Sequence, residues 1–244
     1  MPVSVVIANY NQVSTLPIVL RSMANQTVTP LSVTVADDGS NDGSIEWIEA
    51  IPDGVYPFPL YYTTHRHSGY GLTIIENMAA RNIKEGRILF TNSDVVHNPM
   101  SVECHSKIGG NQIAGGKIEN IELPWSQAVS ANDMNDFADF ENRYRDFVGG
   151  LSNNEFVCRY PKENFYGIWG GNFSVAADKF WKVGGLNEEY HRLYGGEEAD
   201  LIQRLMKTGV EPAWAYNSLA YHLGHNQRAY VSSAGNIKYN RDHL

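Results

Sequence analysis

The N-terminal part of the chain alternates short apolar runs with helical patterns, and this alternation restricts the fold more than any other feature. Val3 to Ala8 is a short apolar run rich in β-branched residues, as in a strand buried on both faces of a parallel sheet. Similar runs span Leu31 to Ala36, Leu60 to Thr63 and Arg87 to Thr91, with apolar residues at helical spacing between them. The sequence therefore predicts an α/β fold with a mostly parallel sheet.

Polar clusters follow the first, second and fourth of these predicted strands. They are Asn9-Tyr10-Asn11-Gln12, Asp37-Asp38-Gly39-Ser40 and Asn92-Ser93-Asp94. Because open α/β sheets bind ligands at the carboxyl ends of their strands, we expect the three clusters to surround one site. Asp37 and Asp38 would accept hydrogen bonds there from a base N–H or from ribose hydroxyls. A simple turn and helix cap is the alternative interpretation of this segment.

Asp94 is a candidate metal ligand, because a hard divalent ion takes oxygen ligands and usually shares them with substrate phosphates. A single carboxylate needs partners from elsewhere in the chain. His222 and His225 lie near the C-terminus, and Gly224 between them argues against a helix that would present both. We therefore expect one of them to join Asp94, with an ordinary surface histidine as the alternative.

Acidic residues are concentrated between Tyr194 and Leu201, where two glycines precede Glu197, Glu198 and Asp200. An apolar helical pattern follows and ends at Gly209. The glycines permit positive φ or a close backbone approach, and acids are favoured in the first turn of a helix. The segment therefore predicts a helix that begins with carboxylates beside a glycine-rich turn. A capped surface helix is the alternative.

Composition excludes several classes of protein. The 244 residues carry a net charge of −8, which does not favour a general nucleic-acid or anionic-membrane binder. Cys104 and Cys158 do not form a disulfide framework, so a reducing cytoplasm is the simplest expectation. The start resembles no signal peptide, and no apolar run is long enough to cross a bilayer. Association with the inner face of a membrane through a partner stays open.

The order of the motifs resembles that of GT-A-fold glycosyltransferases of family 2. Besides the three polar clusters, the segments that carry the resemblance are Gly69 to Asn82, Gly170-Gly171-Asn172-Phe173, Gly184 to Glu188 and Gly195 to Leu201. The C-terminal half is similar to galactosyltransferases, polypeptide N-acetylgalactosaminyltransferases and bacterial chondroitin polymerases. The resemblance implies a single GT-A domain over residues 1–244. Residues 1–99 would bind the nucleotide sugar, residues 100–225 would form the acceptor and catalytic half, and residues 226–244 would be a tail.

The resemblance also implies roles for individual residues. Asp37 would meet the N–H of uracil or thymine, and Glu198 would be the general base. The remaining nucleotide and donor contacts would be Ala8, Asn9, Tyr10, Asp38, Arg66 or Arg81, Asn92 and Ser93. Trp169, Gly170, Gly171, Asn172 and Glu197 would line the donor-sugar and acceptor region. Asp94 and His222 would hold a divalent metal ion, Mn or Mg, with His225 as the alternative histidine.

The activity implied is an inverting transfer from a UDP- or dTDP-sugar to a hydroxyl of a glycan, a glycolipid or another acceptor. No integral membrane segment and no nucleic-acid partner are expected. The chain departs from the family twice, since Asn92 stands where an acid is usual and Glu198 stands where aspartate is usual. A nucleotidyltransferase and a non-catalytic sugar-nucleotide or glycan-binding module are the alternatives.

Overall fold

The computed structural model describes residues 1–121, 129–149, 168, 170–192 and 195–224. Within them, eight strands form one sheet in the order β3-β2-β1-β4-β7-β6-β8-β5. The strands are β1 (Val3–Asn9), β2 (Ser32–Asp37), β3 (Leu60–Thr64), β4 (Arg87–Asn92), β5 (Val95–His97), β6 (Gln112–Ile121), β7 (Phe173–Ala176) and β8 (Glu211–Leu223). The neighbouring strands among β1 to β4 are parallel, as are β6 and β8. Strand β7 is antiparallel to β4 and β6, and β5 is antiparallel to β8. The predicted α/β fold is confirmed.

Helices cover both faces of the sheet. They are α1 (Leu16–Ala24), α2 (Ser44–Glu49), α3 (Leu72–Ala80), α4 (Ser101–Ser106), α5 (Phe137–Gly149), α6 (Ala177–Lys182) and α7 (Glu197–Met206). Short 3-10 helices span Ala131–Asn135 and Glu188–Tyr190. In the part of the chain described, no helix is long and apolar enough to cross a membrane.

The central strands are apolar on both faces because each face has its own core. Val5 and Ile7 of β1 point into a core shared with α1, whereas Val6 points into a core shared with α3 and α7. Every residue of β1 is buried. This explains why the first strand has a continuous apolar sequence rather than an alternating one.

Two predicted helices begin at other residues than expected. Aromatic residues recur at helical spacing from Asn132 to Val148, a pattern that predicts one helix, but Asp136 separates the 3-10 helix Ala131–Asn135 from α5. Ser130 caps the 3-10 helix through a reciprocal pair of hydrogen bonds with Asp133. For α2, the side chains of Ser40 and Asn41 predict a cap at one of these residues, but Gly43 occupies that position with a φ of 93°.

Arg87 joins three segments at the end of the sheet opposite the predicted ligand site. It is fully buried, and its Nη1 donates to the backbone carbonyl and the hydroxyl of Ser174 at 2.9 and 3.0 Å. Its Nη2 donates to the carbonyl oxygens of Gly109 and Gln112 at 2.7 and 2.8 Å. Burial lowers the pKa of the guanidinium to about 10. One side chain therefore fixes β4, β7 and the start of β6 relative to one another.

Replacing this guanidinium should destabilise the fold strongly. We expect Arg87→Ala to lower the free energy of unfolding by about 3 kcal/mol, because it leaves several buried acceptors without a donor. The exposed Arg21→Ala serves as the control and should change it by no more than about 0.5 kcal/mol. Urea unfolding measures both, and equal losses in the two variants would contradict the role given to Arg87.

Candidate active site

The pairing of β1 with β2 and β4 brings the three polar clusters together. Asn9 is the register partner of Asp37, and Ala8 is the partner of Asn92. Beyond the strands, the backbone N–H of Ser93 donates to the Ala8 carbonyl at 2.8 Å. The three polar clusters therefore meet at one edge of the sheet, where Ala8, Asn9 and Ser93 are buried.

Asp37 is an internal support of this edge. Its carboxylate is fully buried and accepts from Asn9 Nδ2 at 2.7 Å and from Thr64 Oγ1 at 3.1 Å. It also accepts from the N–H groups of Gly39 and Ser40 and from the Ser40 hydroxyl, at 2.6 to 2.9 Å. Both oxygens are thus engaged by the protein before any ligand arrives.

Asp38 instead faces the loop that follows β3. Its oxygens lie 2.5 Å from His65 Nε2 and 3.2 Å from His67 Nδ1, and one accepts from the Gly71 N–H at 3.0 Å. The His67 ring stacks on Tyr10, with centroids 4.3 Å apart and an interplanar angle of 14°. From the sequence alone, His65 to Gly71 predicts only a flexible basic loop. The structure shows that its histidines organise the space between Tyr10 and Asp38.

The pairing of β5 with β8 places Asp94 beside His222. Asp94 Oδ2 and His222 Nε2 are 3.4 Å apart, and the N–H of Leu223 donates to the Asp94 carbonyl at 2.8 Å. Adjacent ligands of an octahedral ion, each ~2.1 Å from the metal, lie about 3 Å apart, so the two side chains fit a shared divalent cation. No group of three or more histidine, cysteine or acidic residues suited to a metal occurs among the described residues. Further ligands would come from a substrate or from residues outside the described part of the chain.

The acidic helix start also forms as predicted. Gly195 and Gly196 have φ values of 85° and 102°, a conformation that disfavours other residues, and α7 begins directly after them. Glu197 is 3% exposed, and its Oε1 accepts from the Tyr70 hydroxyl at 3.2 Å. Its Oε2 has no hydrogen-bond partner among the described residues. An acceptor is therefore left inside the site.

Glu198 is half-buried against a glycine-rich segment. The Gly170 N–H donates to its carboxyl group, and a Cβ at position 170 would lie 2.4 Å from Glu198 Oε1. Glycine at position 170 thus allows the backbone to contact the acid directly. Burial, and next the charge of Glu197, raises the pKa of Glu198 to about 8. Burial also raises the pKa of Glu197.

A third carboxyl group, which sequence reasoning missed, belongs to this cluster. Glu76 on α3 is 3% exposed. Its burial, followed by the charges of Glu198 and Glu197, raises its pKa well above the ordinary value of 4.5. The available signal was an acid directly after Ile75, within a helix whose other inward residues carry no charge.

Two residues that were predicted to line the donor-sugar and acceptor region, Gly171 and Asn172, are instead buried in the interior. Asn172 is 1% exposed, and its side-chain amide is bonded to His105, Ser218 and the Lys117 carbonyl. Gly171 is buried and packs beside Val95 and Ile118. Asn172 therefore supports the glycine segment from behind.

The two arginines differ in position. Arg66 is exposed on the loop that contacts Asp38. Arg81 follows the last residue of α3, whose nine residues span roughly 13 Å from the site edge. The fold therefore does not bring Arg81 to the strand ends. Trp169 and His225, also named from the sequence, lie outside the described residues, as does the predicted tail 226–244. The same holds for most of residues 153–168, whose polar and aromatic sequence predicts a long loop.

The mixed sheet, with polar clusters at its strand ends and an acidic helix start, has the architecture of a GT-A fold. Residues 4–105 match the family model described as glycosyl transferase family 2, and residues 151–226 match the one described as the N-terminal domain of galactosyltransferase. The two matches together cover well over half of the chain. The protein belongs to the family 2 glycosyltransferases, with a C-terminal half of the galactosyltransferase type.

Relatives extend over nearly the whole chain. It is 24% identical over 247 residues to a chondroitin synthase of Escherichia coli, covering 90% of this chain and 34% of that protein. It is 25% identical over 260 residues to a validoxylamine A glucosyltransferase of Streptomyces hygroscopicus subsp. limoneus, covering 98% of this chain and 55% of that protein. A structure of GalNAc-T7 with UDP, GalNAc and Mn²⁺ superposes with a TM-score of 0.62 at 14% identity, covering 93% of this chain and 44% of that one. The chain thus spans about a third to a half of these proteins.

The buried Glu76 carboxyl should make stability depend on pH. Between the ordinary value of 4.5 and its raised folded pKa, Glu76 is protonated in the folded state and ionised in the unfolded state. The folded state then binds more protons, so the wild-type free energy of unfolding falls as pH rises through this range. We expect Glu76→Gln to be more stable than wild type at pH 7, with the difference disappearing below pH ~4.

Urea unfolding at several pH values measures this difference. The exposed Glu85→Gln is the matched control and should show no comparable pH-dependent gain. A Glu76→Gln variant that is less stable than wild type at pH 7 would refute the interpretation of Glu76 as a strained acid.

Proposed function

We propose that the protein is an inverting glycosyltransferase that moves a sugar from a UDP- or dTDP-sugar to an acceptor hydroxyl. The observation that carries this proposal is the Glu198 carboxyl, which is held by the Gly170 N–H beside two further buried acids. A general base works best when its pKa lies near the working pH, and the pKa of Glu198 is raised to about 8. Such an acid is suited to accepting a proton during the reaction.

The proton balance of the transfer is simple. The acceptor oxygen attacks the anomeric carbon as its proton passes to Glu198, and the bond from that carbon to the diphosphate oxygen breaks. A single displacement from the side opposite the leaving group inverts the anomeric configuration. We assign hydrogen bonds with sugar hydroxyls to Glu197, because its Oε1 is held by Tyr70 and its Oε2 has no hydrogen-bond partner among the described residues.

The nucleotide is proposed to bind between Tyr10 and Asp38. The complete engagement of Asp37 by protein donors favours a supporting role for it, so we assign the hydrogen bond to the base or ribose to Asp38. Ala8 and Asn92 line the adjoining strand ends. We assign the contact with the diphosphate to Arg66 rather than to Arg81, because Arg66 lies on the loop that contacts Asp38.

Asp94 and His222 are proposed to hold a divalent ion, Mn or Mg. Their 3.4 Å separation supports this, and the GalNAc-T7 structure of the same fold contains Mn²⁺ with UDP. When bound, such an ion supplies positive charge against the diphosphate. Asn92 gives the site one negative charge fewer than the usual acid would give.

The acceptor is proposed to be a hydroxyl of a glycan, a glycolipid or another molecule. The names of the two sequence relatives support sugar transfer in general. They do not select one acceptor, because the chain covers only part of each protein. The assignment of Glu198 can nevertheless be tested without the natural acceptor, through donor binding and donor hydrolysis.

Removing the base should separate binding from transfer. We expect Glu198→Gln to bind UDP in the presence of Mn²⁺ as tightly as wild type, because the amide keeps the size of the side chain. Turnover of the donor that wild type uses should fall by about 10²-fold or more. Calorimetry with UDP, dTDP and GDP measures binding, and NMR of the released sugar gives its anomeric configuration.

The exposed Glu85→Gln is again the control and should keep wild-type turnover. Near-normal turnover of Glu198→Gln would remove Glu198 from the role of base. A retained anomer from a defined donor would refute the inverting mechanism. Nucleotide binding by wild type without turnover of any donor sugar would favour a non-catalytic binding module.

The charge of Glu197 should set the pH dependence of the reaction. The base acts in its ionised form, so we expect kcat/KM of wild type to rise with pH through about 8, the value to which the pKa of Glu198 is raised. Glu197→Gln removes the neighbouring negative charge that contributes to this increase, so the rising limb should move to lower pH. A pH–rate profile measures this, and an unchanged or falling limb would contradict it.

A further inference from the structure

The strands around the proposed metal pair place a third side chain against His222. In the parallel pairing of β6 with β8, Asn120 is the register partner of His222. Asn120 Oδ1 lies 3.2 Å from His222 Nδ1, on the other side of the ring from Asp94. His222 is therefore contacted through both ring nitrogens, by an amide oxygen and by a carboxylate.

The backbone on both sides of this contact is fixed. The Tyr144 hydroxyl of α5 donates to the Asn120 carbonyl at 3.1 Å. Beyond His222, the Gly224 N–H donates to the Ile121 carbonyl at 2.7 Å. Tyr144 is 3% exposed, so the anchor lies in the core even though Asn120 itself is exposed. The position of the amide relative to the ring follows from the fold.

The contact favours one tautomer of His222 for cation binding. With a cation between Nε2 and Asp94 Oδ2, Nε2 carries no proton, and Nδ1 is then the nitrogen that donates to Asn120 Oδ1, since an amide oxygen can only accept. In the neutral imidazole, Nε2 then presents its lone pair toward Asp94 Oδ2. A lone pair and a carboxylate oxygen that face each other at 3.4 Å attract a cation between them. Metal-binding histidines commonly use this arrangement, with the second ring nitrogen donating to an oxygen.

We propose that Asn120 is a positioning residue that orients His222 and fixes its tautomer for binding a divalent cation with Asp94. This inference rests on the proposed function, because it concerns the same metal pair. It adds a residue that touches neither the metal nor the substrate. The matching acceptor position could equally be filled by a carboxylate, so Asn120→Asp should preserve the effect and Asn120→Ala should remove it.

The test is a titration of the whole protein with Mn²⁺, in the absence and presence of UDP. The electron paramagnetic resonance signal of free Mn²⁺ measures how much of the ion is bound. We expect Asn120→Ala to weaken Mn²⁺ binding by about 10- to 100-fold, the usual cost of losing such a partner. Asn120→Asp should bind Mn²⁺ at least as tightly as wild type. Asn217→Ala, at an exposed asparagine elsewhere on β8, is the control and should match wild type.

A second measurement separates positioning from a loss of stability. Without Mn²⁺, the Tm of Asn120→Ala should equal that of wild type, and only the increase in Tm caused by Mn²⁺ should shrink. Wild-type Mn²⁺ affinity in Asn120→Ala would overturn this inference and leave the metal pair intact. Equally weak binding by Asn120→Asp and Asn120→Ala would overturn the acceptor role. Unchanged Mn²⁺ binding by Asp94→Asn, or none by wild type, would overturn both the pair and this inference.

Discussion

The carboxylate of Asp37 holds the ends of three neighbouring strands in one place. It belongs to β2, accepts from Asn9 of β1 and Thr64 of β3, and closes its own turn through Gly39 and Ser40. Burying a charge is costly unless it is fully hydrogen-bonded, and here the donors surround both oxygens. The edge of the sheet that carries the proposed nucleotide site depends on this cluster, because Tyr10 and Asp38 follow its members directly in the chain.

The three acids across the site differ from Asp37, because burial disfavours their charged forms. Glu76, Glu197 and Glu198 are crowded together from α3 and α7, and burial raises the pKa of each one. Such groups oppose folding at neutral pH, and shifted pKa values of this kind are concentrated at functional sites. The protein therefore combines a well-satisfied carboxylate that supports the fold with strained carboxylates that are available for chemistry.

Local sequence patterns were sufficient for the fold but only partly for the site. The apolar runs predicted β1, β2 and β4, because a strand buried on both faces needs a continuous apolar sequence, whereas β3, also predicted, is a partly exposed edge strand. Nothing local could tell which of Asp37 and Asp38 turns inward, since that depends on donors from Thr64 and the loop at His65. The sequence alone left open which of His222 and His225 would join Asp94, and only the family resemblance selected His222, because the contact depends on strands far apart in the chain. Glu76 was missed because its partners lie on α7.

The long strand β8 carries His222 of the proposed metal pair and also joins two other strands of the sheet. It pairs with β6 on one side and β5 on the other, and the N–H groups of Leu223 and Gly224 close the pairing beside His222. Any cation held between Asp94 and His222 would therefore bridge β5 and β8 as well as bind a ligand, and its binding free energy would oppose their separation. Amide hydrogen exchange at the end of β8 would then report on occupancy of the site, because a bound cation would slow the local opening of the sheet.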